Sequence, residues 1–352
     1  MTSYLSRRMF MGAGAAALAL QSPPLRAASN KVKLGLDLYS VRSQGWTPFQ
    51  SLEFAAKWEI RVLHFSEIRF IGTLEEDNLK QVRARAQELG IEVEIGMMSI
   101  CPSSKMFNRA QGTAEEQLLK MVKAATIVGS PIVRCVLGSA QDRTGNVSME
   151  QHIADTVQVL RNVRSQVVDA GLKVAIENHA GDMQAREVKT LIEGAGKDFV
   201  GSCLDSGNPL WAIEDPHLTL ETLAPYVLTS HVRDSKVWQT PQGAAVAWCR
   251  MGEGNVGIEG YVRDYAQMCP GRALSLEVIV NPSPRIFNYR DPKFWDGYRS
   301  TPAWEFARFL ALAEKGAPPE PAPPRPRDQA AKFELEDVEA SLRWTKDLLT
   351  RV

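Results

Sequence analysis

Apolar and polar positions along this chain alternate between two textures. Short runs of branched or small apolar residues predict buried strands at 32–39, 61–65, 91–97, 131–136, 173–176, 200–204, 226–230 and 273–278. Between them, apolar residues recur at helical spacing. This predicts helices at 48–57, 113–128, 147–170, 185–195, 218–223 and 302–313, and one that Thr73 or Asp77 caps and that runs to Leu89. Gly90 and Gly171 stand where a helix stop is needed. A strand followed by a helix, repeated roughly every 30 residues, is the rhythm of parallel βα units. Eight such strands predict an α/β fold, a closed (β/α)8 TIM barrel with long loops at its mouth.

Three stretches fall outside that rhythm. Residues 236–257, rich in glycine and carrying Trp238 and Trp248, read as a hairpin or lid loop. Residues 281–301 place aromatics at 287, 289, 294, 295 and 298, either as a cover packed on the barrel rim or as a wall of a ligand pocket. After the barrel, assigned to 29–316, residues 317–331 form a Pro-rich, semi-rigid linker. Residues 332–352 then read as one amphipathic helix that docks on the barrel or on a second subunit, so a homodimer is open.

Composition narrows the class. With 44% hydrophobic and 23% charged residues the 352-residue chain is globular, and a barrel of about 250 residues fits within it. Residues 1–28 change the picture. Arg7-Arg8 precedes a short apolar run and then Ala27-Ala28, as in a twin-arginine export signal, and that run is too short to span a bilayer. The expectation is a periplasmic protein exported folded by the twin-arginine machinery, with no stable membrane span. Without Arg7, Arg8 and Arg26 the chain holds 38 basic and 41 acidic residues, which argues against a nucleic-acid partner. Five cysteines without CxxC spacing predict no disulfide framework.

The chemistry lies at strand ends. KVAIEN, FVGSCLD, YVLTSH and ALSLEV each deliver one polar side chain at the C-terminal end of an apolar run: Glu177, Asp205, His231 and Glu277. In a TIM barrel these ends share one mouth, so the four could hold one ion. Three carboxylates and an imidazole suit Mn²⁺ or Mg²⁺, while the histidine leaves Zn²⁺ and Co²⁺ open. Each has a plainer reading. Glu177 and Glu277 could pair with Arg233 or Lys173, Asp205 could cap the turn that follows it, and His231 could be a core residue. His179 and Arg233 follow ligands at two-residue spacing and so point the same way, toward substrate oxygens. Glu67 and Lys236 are further substrate-binding candidates. His64, His152 and His217 read as structural, and Glu253 as the residue that holds its own loop.

The motifs IENH (176–179), CLDSGNP (203–209), SHVRD (230–234), MGEGNV (251–256) and SLEV (275–278), with LGLDLYSVR in the first strand, resemble those of the xylose-isomerase-like TIM-barrel superfamily, the sugar phosphate isomerase/epimerase group. That resemblance implies metal ligation by Glu177, Asp205, His231 and Glu277, with Glu177 and Glu277 also the proton-transfer pair. It implies one divalent ion, Mn²⁺ first, and a carbohydrate substrate. The expected reaction is isomerisation or epimerisation through an enediolate, with cleavage of a 3-keto-glycoside by the same C–H abstraction as the alternative and a non-catalytic sugar-binding barrel as a second. The DNA-cutting branch of the superfamily needs many histidines, and this chain has five. No Gly-rich phosphate cradle is present in the sequence, so an unphosphorylated sugar is expected.

Overall fold

A computed structural model describes residues 32–280, 283–320 and 325–352; residues 1–28, expected to be an export leader, lie outside the described residues. Eight parallel strands form one sheet: β1 (Lys33–Asp37), β2 (Val62–Phe65), β3 (Glu92–Ser99), β4 (Ile132–Val136), β5 (Lys173–Glu177), β6 (Val200–Asp205), β7 (Val227–His231) and, last in the chain, β10 (Ala273–Leu276). β10 returns to pair with β1, and Val232, just past β7, bridges Leu276. The Val232 amide donates to the Ser275 carbonyl at 2.7 Å and the Glu277 amide to the Val232 carbonyl at 3.0 Å. These bonds close the TIM barrel.

The outer helices are α1 (Pro48–Lys57), α2 (Glu76–Leu89), α3 (Ala114–Val128), α4 (Met149–Asn162), α5 (Arg164–Asp169), α6 (Ala185–Ala195), α7 (Pro216–Leu223) and α8 (Ile258–Met268). Local chemistry sets several of their ends. Thr47 with Gln50 and Thr113 with Glu116 form capping boxes, and Gly90 and Gly129 end α2 and α3 in the left-handed region. Two expectations are corrected. The single helix expected over 147–170 is two, because Val163 leaves helical geometry at φ −100° and ψ 2°. Neither Thr73 nor Asp77 caps α2, which starts after Glu75 with no side-chain cap bond.

Residues 236–257 do form a hairpin, β8 (Asp234–Thr240) with β9 (Gly243–Cys249), and β11 (Arg285–Phe287) adds to β9. This three-stranded antiparallel sheet has its own apolar core. Val237, Val246, Phe287, Tyr289 and Tyr298 pack with Phe309 and Ala313 of α9 (Ala303–Lys315), and Phe294 and Trp295 flank them. The aromatics of 287–298 are therefore the filling of a cover over the barrel rim.

That placement removes α9 from the barrel wall, where the rhythm put the last helix. The vacated outer position between β10 and β1 belongs to α10 (Ala330–Leu349), whose Val338, Leu342 and Leu348 are fully buried in the main barrel core. Polar contacts lock it there. Glu334 accepts from the Ser43 amide at 2.8 Å, Asp337 from Arg250 at 2.7 Å, and the Met251 amide donates to Ser341 at 3.2 Å. Gly252, at φ +85°, is required by this docking, since a Cβ there would collide with the Trp344 indole. Leu342→Ala is expected to cost about 2–5 kcal/mol of stability, against a change within about 0.5 kcal/mol for Glu336→Ala on the exposed face; urea unfolding midpoints of the two variants check this.

Candidate metal centre and substrate cavity

Parallel strands in a barrel end on one rim, so residues at equivalent ends meet. Glu177 ends β5, Asp205 ends β6, His231 ends β7, and Glu277 follows β10. One ligand atom from each of the four lies within 4.8 Å of the others, and all four residues are buried. His231 Nδ1 stands 3.0 Å from Glu177 Oε2 and 3.7 Å from Glu277 Oε2. His231 Nδ1 thus faces the Glu177 carboxylate, and Glu277 Oε2 is in an ion pair with Arg233. Three carboxylates with an imidazole form a donor set that fits a divalent cation.

The plainer readings of these residues hold alongside that one. Asp205 Oδ1 does cap its turn, accepting from the Gly207 amide at 2.7 Å and the Asn208 amide at 2.6 Å, while Oδ2 pairs with Arg233. Arg233 also pairs with Glu277. Gly207 makes this possible, because a Cβ there would collide with the Arg233 side chain. Glu177 pairs with Arg134 rather than Lys173, and accepts from the Asn208 amide group at 3.2 Å.

These charges set each other's protonation. Burial pushes Glu177 up, but Arg134 and His231 outweigh it and hold the carboxylate well below the usual range. Burial lifts Asp205 to about 6 against the pull of Arg233. Burial alone would lower His231; Glu177 and Asp37 overcome it and raise the imidazole.

A second polar layer lies beneath the first, and it corrects the reading of His64 as merely structural. His231 Nε2 stands 2.9 Å from His64 Nδ1. His64 lies 3.9 Å from Asp37 and 3.8 Å from Glu94, which accepts from Thr229 across the barrel at 2.6 Å. Burial, then the neighbouring His231 charge, keeps His64 neutral, so its Nδ1 can accept the Nε2 proton of His231. Were an ion bound, Nδ1 of His231, which otherwise faces Glu177, would be its ligand atom.

A cavity of about 310 Å³ opens on this cluster, walled by Arg134, His179, Arg233, Trp211, Trp248 and Glu277, with Glu67 at its edge. His179 donates from Nδ1 to the Gly138 carbonyl at 2.8 Å, which turns Nε2 outward. Trp248, on β9, stacks on Trp211 at 4.0 Å with 8° between the rings, while Arg233 lies over Trp248 and Arg285 over Trp211. Lys236 is not brought to the cavity. It pairs with Ala247 on the face of the hairpin opposite Trp248. Glu253, half exposed, faces Arg250 at 3.9 Å within its own loop, and Asp234 pins that loop by accepting from the Gly252 and Gly254 amides at 3.0 and 2.8 Å.

Arg134, His64, Asp37, Asn208, Trp211 and Trp248 were not read from the sequence as site residues. The first three carry a signal that could have found them: a charged or polar residue interrupting an apolar strand, in PIVRCV, VLHF and KLGLD. His64→Leu is expected to weaken divalent-ion affinity about 10- to 100-fold with the fold retained, whereas His152→Gln, which alters a histidine bonded to Ser103 instead, leaves it unchanged. Chelator-competition titration of the two variants measures both.

Comparison with known proteins agrees with this architecture. Residues 49–292 match the sequence profile of the family described as Xylose isomerase-like TIM barrel. A 3-oxo-isoapionate decarboxylase of Pectobacterium atrosepticum is 24% identical over 183 residues, 52% of this chain and 59% of the relative, so the chain spans less than two thirds of that protein. Among solved structures, D-psicose 3-epimerase from Clostridium cellulolyticum aligns at a TM-score of 0.56 with 15% identity, over 80% of this chain and 96% of its own. The 3-keto-D-glucoside 4-epimerase of E. coli aligns at 0.54 with 13% identity, over 79% and 100%. At these identities the two structures share the fold with this chain. The profile match covers more than half of the residues, and the chain belongs to the xylose-isomerase-like TIM-barrel family.

Proposed function

We propose that this chain is a divalent-metal-dependent enzyme that moves a proton on a sugar carbon next to a carbonyl, as an isomerase or epimerase, with Mn²⁺ as its ion. The observation that carries this reading is the set Glu177, Asp205, His231 and Glu277, buried and gathered at the barrel mouth, opening on a cavity that Glu277 lines. An ion held there polarises a carbonyl and its neighbouring hydroxyl and acidifies the C–H between them.

The protein's own residues do the rest. Glu277, at the cavity wall, and Glu177, kept ionised by Arg134, are the proton-transfer pair. One takes the proton from carbon, leaving the electron pair in an enediolate. Return of a proton to the opposite face inverts the centre, and return to the neighbouring carbon exchanges aldose and ketose. Arg233 and His179 hold substrate oxygens, Glu67 orients a hydroxyl, and the Trp211–Trp248 stack lies against the sugar and keeps water out. The leader at 1–28 supports export by the twin-arginine route, and with it an unphosphorylated substrate.

A second reading keeps the first step. In a 3-keto-glycoside the carbanion formed beside the carbonyl expels the glycosidic oxygen, which leaves with a proton as the free alcohol. The room beside the site, taken up below, favours it.

Three measurements test the proposal. Stripping the protein with a chelator is expected to abolish deuterium incorporation from D₂O into a sugar panel, with Mn²⁺ restoring it. Asp205→Ala is expected to lose the bound ion; unchanged metal content would sink the four-ligand site. Glu277→Gln is expected to cut turnover about 10²- to 10⁴-fold with an unchanged circular dichroism spectrum, and full activity in that variant would remove Glu277 from the proton-transfer pair.

A further inference from the structure

Beside the metal-cluster cavity lies a second and larger one, about 720 Å³, between the loop after β2, the end of β3 and α3. The two share walls. Glu67, Met98 and Met106 line both, so a molecule held at the cluster can extend from one into the other. The smaller cavity is near the lower end of the range for small-molecule pockets, roughly 300–1,000 Å³. It has room for a sugar ring, and the larger has room for a second group joined to it.

The wall says what that group is. Four of the eleven methionines of the chain, Met97, Met98, Met106 and Met121, surround this one cavity. Met98 is 37% exposed at the junction, one of the few large apolar side chains that reach solvent among the described residues. Methionine is unbranched and polarisable, fills irregular apolar shapes and makes favourable contacts with aromatic ring edges. Polar side chains share the wall: Glu75, Gln111 and Lys120 stand at it, and others are engaged. Arg69 donates to Glu67 at 2.5 Å, and the Gln117 side chain donates to the Asn108 and Gly112 carbonyls, each at 2.9 Å. Ile68 and Leu74 extend the apolar part of the wall beside the methionines.

We infer that the larger cavity is a subsite for an apolar, aromatic group carried on the sugar, so that the substrate class is an aryl glycoside or a keto derivative of one. This rests on the sugar-enzyme reading above and deepens it. Burying a phenyl ring there makes a phenyl glycoside bind roughly 10- to 100-fold tighter than its methyl counterpart.

The test uses Mg²⁺-loaded full chain with ¹³C-methyl methionine, assigned by single Met→Leu substitutions, and three probes: methyl 3-keto-β-D-glucopyranoside, its phenyl counterpart, and phenol alone. The expected result is that the phenyl glycoside and phenol shift the methyl signals of Met97 and Met121, which line the larger cavity and not the smaller, while the methyl glycoside does not. Gln111→Trp, which fills the larger cavity from its exposed edge, brings the phenyl-to-methyl affinity ratio close to one. Equal affinity for the two glycosides, or methionine signals that no aromatic probe moves, overturns the subsite. Phenol shifting these methionines while neither glycoside binds or exchanges deuterium would uphold the subsite and overturn the sugar reading instead.

Discussion

The constraint on which this structure depends is the cost of burying negative charge. Glu177, Asp205 and Glu277, with Asp37 beneath them, gather at the barrel mouth where little water reaches them, and each uncompensated buried charge costs several kcal/mol. The surrounding architecture answers that cost. Arg134 reaches in from β4 to Glu177, Arg233 from beyond β7 to both Asp205 and Glu277, and the pair of histidines runs between Glu177 and the Asp37 layer. Removing any one positive partner leaves a carboxylate that the apolar core cannot tolerate.

That balance dictates the backbone around it. Asp205 must end β6 at the level of His231, and their register pairing places it there. The turn after it must admit the Arg233 side chain, which is why it holds Gly207. Arg233 in turn needs a roof, and the hairpin supplies Trp248, which stacks on Trp211 and covers the guanidinium. The cover sheet, its aromatic filling and α9 exist as a unit because the hairpin has to be held in that position. With α9 committed to the cover, α10 closes the barrel wall after a Pro-rich connection. A chemical demand at the mouth is thus felt at the far end of the chain.

Much of this was legible in the chain itself. Buried parallel strands read as continuous apolar runs, so their number and approximate limits showed, and so did the four residues that the structure gathers at the mouth, because each breaks such a run at its end. Residues inside the runs were harder. Arg134, His64 and Asp37 interrupt apolar strands, but periodicity alone does not say whether such a residue points into the barrel or out of it. Trp211 and Trp248 were harder still, since a tryptophan in a loop carries no mark of which ring it will stack upon.

What the sequence determined by itself is what short-range order encodes: strand and helix texture, capping boxes, glycine stops, and a polar residue at each decisive strand end. Tertiary structure alone decided which helix completes the barrel, which face of the hairpin looks inward, and which cations meet which carboxylates. The helical pattern of 302–313 is as compatible with the barrel wall as that of 330–349, and Lys236 reads as well as Arg233 for the site. Only long-range packing and register separate them, because one residue along a strand reverses the direction of a side chain, and no local signal carries the sum of contacts made hundreds of residues away.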